Sequence, residues 1–303
     1  MTAAGAAVDA ARPGVSPGGH PRRREGVAPV ATAVEAGGDP QSPIIQVTDL
    51  VTHYGERQIL KSVNFSVNRG EIMVVMGGSG SGKSTLLRHL LALEKPTSGR
   101  IMVDGLDVAG ASGKQLAELR KRIGVAFQGG ALLSSMTVGD NVKLPLRQHT
   151  KLNDDTIDIM ARLKLEMMNL AGCEDFMPAE LSGGMLKRTG LARAVIMDPK
   201  LLFFDEPSAG LDPVTSVELD DLILKLREAV NITVIVVTHE LESAFKIADR
   251  ITVLFDGEIV QTGTPDEIRA STDERIQNMI NRRPRKDPVD ANKYLNRLTA
   301  GAD

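Results

Sequence analysis

Apolar residues follow two rhythms along this chain. Ile72–Met76, Leu201–Phe204 and Thr233–Val237 are short, essentially continuous apolar runs, which predict parallel strands covered on both faces. Ile44–Leu50 alternates, and Val63–Val67 follows it as another short strand-like run. Between the runs, Ser84–Leu93, Asp154–Met168, Met185–Met197 and Pro213–Ala229 carry apolar residues at helical spacing. Strands alternating with helices imply an α/β domain built on a parallel sheet. Near the end, Ile251–Phe255 and Ile259–Thr262 flank Asp256-Gly257, the pattern of a β-hairpin.

The flanks lack either rhythm. Residues 1–43 are rich in Ala, Gly and Pro, with a basic knot at Arg22, Arg23 and Arg24. They are expected to be disordered, a membrane-surface role for the three arginines being the alternative. From about Thr272 the chain is polar, with Pro284, Pro288 and a candidate short helix near Tyr294–Leu298. No internal repeat appears. One domain over residues 44–275, followed by a tail over 276–303, accounts for the pattern.

Composition narrows the function classes. A formal charge of −3 over 303 residues offers no basic excess for nucleic acid, and none is expected as a partner. The single cysteine, Cys173, excludes an internal disulfide and suits a reducing compartment, as a packed thiol rather than a reactive one. No run of about 18 apolar residues spans a bilayer, and no apolar signal-peptide core opens the chain. The protein is therefore expected in the cytoplasm unless a partner holds it to a membrane.

Three clusters carry chemistry. Gly77-Gly78-Ser79-Gly80-Ser81-Gly82-Lys83-Ser84-Thr85 fits a P-loop, following a buried strand and opening a helix. Its glycines let backbone N–H groups converge on phosphates, and the helix start adds the positive end of its dipole. Lys83 is suited to the β- and γ-phosphates of ATP, and the Ser84 hydroxyl to Mg²⁺. The second cluster, Asp205-Glu206, follows Leu201–Phe204 and emerges at a strand's carboxyl end, where ligands bind in open α/β sheets. Asp205 suits Mg²⁺, through water, and Glu206 suits polarisation of the attacking water. The third, Ser182-Gly183-Gly184 before a helical run, is either a permissive N-cap or a second anion site. With a P-loop already present, a second cradle makes most sense if it serves another copy of the chain.

From about residue 44 to 275 the sequence resembles ABC-family nucleotide-binding domains. Leu181-Ser182-Gly183-Gly184-Met185 is similar to their signature motif, with Met185 where Gln is commonest. Gln128 in Phe127-Gln128-Gly129-Gly130 matches the Q-loop, Asp212 in Ser208-Ala209-Gly210-Leu211-Asp212 the D-loop, and His239 the switch histidine. Tyr54 stands where the family places an aromatic against adenine. The resemblance implies a P-loop NTPase of ABC type: a mainly parallel core sheet, an antiparallel β subdomain and a helical subdomain over about 129–190. It implies catalytic roles for Glu206, His239 and Gln128, with Gln128 joining Ser84 and Asp205 at Mg²⁺. It also implies a homodimer sandwiching two MgATP, each bound by one P-loop and the other chain's Ser182, Gly183 and Gly184.

A single such domain with a short interval between P-loop and signature favours a transporter motor. Two-domain translation factors, coiled-coil repair ATPases and P-loop small-molecule kinases fit less well. Phe127–Leu133, Asp140-Asn141-Val142 and Pro145-Leu146-Arg147-Gln148-His149-Thr150 look like the ATPases of the Mla/Mce lipid-transport systems. An importer motor for amino acids or ions is the alternative. The closer resemblance implies phospholipid transport between bacterial inner and outer membranes and a peripheral position on the cytoplasmic face of the inner membrane. Its implied partners are an MlaE-type permease docking on Gly129–Thr150 and an Mce-domain substrate-binding protein.

Overall fold

The computed structural model describes residues 42–283. Residues 1–41 of the amino-terminal segment and the helix expected near Tyr294–Leu298 lie outside them. The strands are β1 (Ile45–Tyr54), β2 (Arg57–Val67), β3 (Ile72–Met76), β4 (Ser98–Val103), β5 (Leu106–Asp107), β6 (Ile123–Ala126), β7 (Leu201–Asp205), β8 (Thr233–Thr238), β9 (Arg250–Phe255) and β10 (Glu258–Gly263). The helices are α1 (Lys83–Leu90), α2 (Gly113–Arg120), α3 (Val138–His149), α4 (Asp154–Met167), α5 (Gly183–Val195), α6 (Pro213–Val230), α7 (Leu241–Ile247), α8 (Pro265–Arg269) and α9 (Glu274–Ile280).

The continuous apolar runs form the middle of a six-stranded sheet in the order β10-β9-β3-β8-β7-β6. Every neighbouring pair in it is parallel except β9 with β10. Their two-sided burial follows from the pleat. Ile72, Val74 and Met76 face a core shared with Val142, Leu165, Leu191 and Ile223 of the helices. Met73 and Val75 face the other way, into a core with Leu50, Val63, Ile101 and Leu86. That second core lies under the antiparallel sheet β2-β1-β4-β5, whose β1 keeps one face wet, as its alternating residues require. The Asp-Gly hairpin forms as expected: Phe255 pairs with Glu258, and Asp256 and Gly257 take φ of 49° and 81°, the two left-handed positions of a type I′ turn.

Several elements depart from the periodic reading. α1 stops at Leu90, because Ala92 turns left-handed at φ 53°. α3 was hidden by the internal Pro145, β6 by its length of four residues, and α7, α8 and α9 by lengths of five to seven. The boundary expected at residue 275 falls inside α9. Ile276 of that helix is fully buried and joins the helical-side core, so folded structure continues past it.

Candidate functional site

Strand register assembles the site. Met76 of β3 lies beside Thr238 of β8, and Val237 of β8 beside Asp205 of β7. Ala126 of β6 pairs with Phe204. The P-loop after β3, Asp205-Glu206, His239 and Gln128 therefore all leave the same carboxyl edge of one sheet, where open α/β sheets bind ligands.

In the P-loop, Gly77 sits against the Leu254 carbonyl and Ser81, so that any Cβ there would collide. Gly82 takes φ 103° to start α1. The Lys83 ammonium folds over the loop and donates to Gly77 O at 2.8 Å and Gly78 O at 3.2 Å. Burial lowers its pKa, while the negative charges of Glu206 and Asp205 oppose that shift. Ser79 and Ser84 are exposed. The buried Ser81 hydroxyl has no hydrogen-bond partner, an orphan of the kind that a bound phosphate would satisfy. Gly80–Thr85 line a groove of about 250 Å³ with Tyr54, Arg57 and Ile59. Tyr54 is 41% exposed and donates its hydroxyl to Glu94 Oε2 at 2.7 Å, which fixes the ring at the groove's rim.

Asp205 is half-buried. Burial first, and then the neighbouring Glu206, raise its pKa against the pull of Lys83 and Arg88. Glu206 adopts φ 50°, a left-handed conformation that costs a non-glycine residue about 1–2 kcal/mol. The fold holds it there from β8. Its Oε2 accepts from Thr238 Oγ1 at 3.2 Å and the His239 backbone N–H at 3.3 Å, and lies 2.8 Å from His239 Nδ1. Acid and histidine thus form one unit, a pairing the sequence reading did not draw.

Ser182 caps α5, its Oγ accepting from Met185 N–H at 3.3 Å. Ser182 and Gly183 are exposed, and neither they nor Gly184 line the P-loop groove. Asp212 caps α6, accepting from the Val214 and Thr215 amides at 3.1 and 3.0 Å and from Thr215 Oγ1 at 2.5 Å. Those bonds lower its pKa. Gln128 is exposed on a turn.

The structural roles of three residues escaped the sequence reading. The fully buried Asn141 accepts from Leu133 N–H at 2.8 Å and donates to the Leu133, Met136 and Thr137 carbonyls. It pins the loop that follows Gln128; in the sequence it stood out only as part of the Asp140-Asn141-Val142 resemblance. Arg193 of α5 donates to Gly130 O and Ala131 O, each at 2.9 Å. Lys187 reaches the loop after Glu206.

Comparison with known proteins agrees with this geometry. Residues 60–209 match the family described as ABC transporter. The chain is 41% identical to the intermembrane phospholipid transport system ATP-binding protein MlaF of Haemophilus influenzae, covering 77% of this chain and 88% of that one. It is 40% identical to the probable ribonucleotide transport ATP-binding protein mkl of Mycobacterium leprae, covering 79% and 70% respectively. Among solved structures, cbiO1 of Clostridium perfringens, part of the transporter complex cbiONQ, superposes with a TM-score of 0.71 at 31% identity, over 80% of this chain and 96% of that one. The cassette MJ0796, in a dimeric post-hydrolysis state bound to ADP and Pi, gives 0.68 at 32% identity, over 73% and 98%. With the strand-edge cluster and these relatives together, the chain belongs to the ABC transporter family as an ATP-binding, ATP-hydrolysing subunit.

Proposed function

We propose that two copies of this chain close head-to-tail on two ATP molecules and that closure powers phospholipid movement through a membrane permease. One observation supports the dimer: the Ser182-Gly183 start of α5 is exposed and does not line the chain's own P-loop groove. Helix N-termini attract phosphate through free N–H groups and the helix dipole, so this one suits the γ-phosphate held by a partner copy.

Within each site, Lys83 and the loop amides hold the β- and γ-phosphates, and Tyr54 offers its ring to adenine. Glu206 takes a proton from the attacking water, whose oxygen bonds to the γ-phosphorus as the bond to ADP breaks. His239 keeps the Glu206 carboxylate aimed and faces the γ-phosphate. Ser84, Asp205 and Gln128 would hold Mg²⁺, which neutralises phosphate charge. All three side chains offer oxygen donors, the kind that Mg²⁺ takes.

The sandwich is tested with two differently tagged chains, both Cys173→Ser, one Ser79→Cys and the other Ser182→Cys. ATP is expected to promote a disulfide joining the two tags. Failure to crosslink in a mixture whose subunits demonstrably exchange would overturn the arrangement.

Phospholipid cargo is favoured by the relative named for phospholipid transport, 88% of which this chain covers. No helix among the described residues is long and apolar enough to cross a membrane; in this reading an integral membrane permease supplies the path, this chain sits peripherally on it at the cytoplasmic face of the inner membrane, and an Mce-domain protein presents substrate. Gly129–Thr150 is the proposed dock. Val142 and Leu146 are core residues, whereas Leu133 is 44% exposed on a loop fixed by Asn141. Leu133→Asp is expected to abolish co-purification with the permease and leave nucleotide affinity within two-fold. Retained co-purification sinks the dock. ATP-driven ribonucleotide uptake without lipid exchange, by the wild-type complex in liposomes, sinks the cargo.

A further inference from the structure

Lys187 lies on α5 one turn beyond the Ser182 cap, yet its side chain serves a different loop. Its ammonium donates to Pro207 O and Ala209 O, both at 2.5 Å. These are the carbonyls of the first and third residues after Glu206. Two neighbouring contacts reinforce the link. A Cβ on Gly184 would come within 2.7 Å of Thr215 Cγ2 at the start of α6, and Arg188 pairs with Glu218 further along that helix. Residue 206, meanwhile, occupies a left-handed backbone position that persists only if its surroundings over-determine it. β8 fixes the Glu206 side chain from one side. Lys187 fixes the chain that follows it from the other.

We infer that Lys187 is a positioning residue that sets the Glu206 carboxylate from the signature helix, so that movement of Ser182–Gly184 reaches the hydrolytic group of the same chain. The wiring rests on the composite-site proposal: α5 addresses the partner's ATP, whereas Glu206 addresses the chain's own. One ammonium with two carbonyls then links the two sites of the dimer through each subunit. The burial that lowers the Lys187 pKa, opposed by the charge of Glu206, agrees with an ammonium drawn out of water toward this loop.

The experiment uses the full-length chain with its permease partner. Lys187→Met keeps the aliphatic stem and removes the donors, and Lys187→Arg keeps charge and donors. Lys187→Met is expected to lower kcat at least ten-fold, leave the KM for ATP within two-fold and bring the Hill coefficient for ATP toward one. Lys187→Arg is expected to recover a substantial part of both kcat and cooperativity. The tagged Ser79→Cys and Ser182→Cys pair, carried in the Lys187→Met background, is expected to crosslink with ATP as in the parent. Unchanged kcat overturns the inference. So does a loss of kcat accompanied by an equal loss of nucleotide affinity and crosslinking, because that is the signature of a damaged helix. A parent pair that does not crosslink refutes the composite site and with it the inter-site wiring; the kcat and KM of Lys187→Met then decide the setting of Glu206 alone.

Discussion

Glu206→Gln is expected to lower kcat by about 10²–10³-fold, within the range for losing a general base, while ATP affinity is preserved. The amide keeps the side chain's size, and its oxygen can still accept from Thr238 Oγ1 and the His239 N–H. Only the capacity to take the water's proton is lost. Bound ATP should then survive chromatography in a closed dimer, with single-turnover kinetics showing the chemical step itself slowed. Because Asp205 is the adjacent carboxylate, Asp205→Asn is the informative companion. It should weaken Mg²⁺-dependent binding, whereas Glu206→Gln should not. Near-normal turnover in Glu206→Gln would assign the base elsewhere.

Lys83→Ala should instead weaken binding of ATP itself, by roughly ten- to a hundred-fold, as expected for losing a charged hydrogen bond worth about 1.5–3 kcal/mol. Titration calorimetry reads this directly, and an affinity within three-fold of wild type would contradict it. The nucleotide-free protein should change as well, since Lys83 latches Gly77 O and Gly78 O and opposes the raised pKa of Asp205. The sign follows from proton linkage. A carboxyl whose folded-state pKa is raised holds protons that the unfolded chain has lost. Its contribution favours folding below the ordinary carboxylate range and disappears as pH climbs through the raised value. Without Lys83 that loss should extend to higher pH, visible in thermal melts taken on both sides of the carboxylate range.

What the sequence disclosed follows its periodicities. Ile72–Met76, Leu201–Phe204 and Thr233–Val237 were legible because strands covered on both faces have no reason to alternate. Asp256-Gly257 was legible because a two-residue hairpin needs left-handed residues at both positions. α3 was not, because Pro145 interrupts helical propensity while Val138, Val142 and Leu146 supply the tertiary burial that overrides it. Individual site residues stood out where backbone geometry restricts the amino acid, as in Gly77–Gly82. The Glu206–His239 contact and the clamps made by Arg193 and Lys187 join residues distant in the chain. No local pattern encodes them; they come from strand register and from the packing of α5 against β6.

The meeting of α5 with the loop after Gln128 has a consequence for how this protein can change over evolutionary time. A Cβ on Gly190 would lie 2.9 Å from Gly130 Cα, and one on Gly130 would lie 2.7 Å from Leu186 O. Two stretches of main chain touch there with no side chain between them. A side-chain interface can drift by exchanging one volume for another, but bare backbone has no volume to exchange. Residues 130 and 190 are therefore locked as a pair, and a lineage can retune this joint only at its margin, through Arg193, which bonds Gly130 O and Ala131 O from outside the contact.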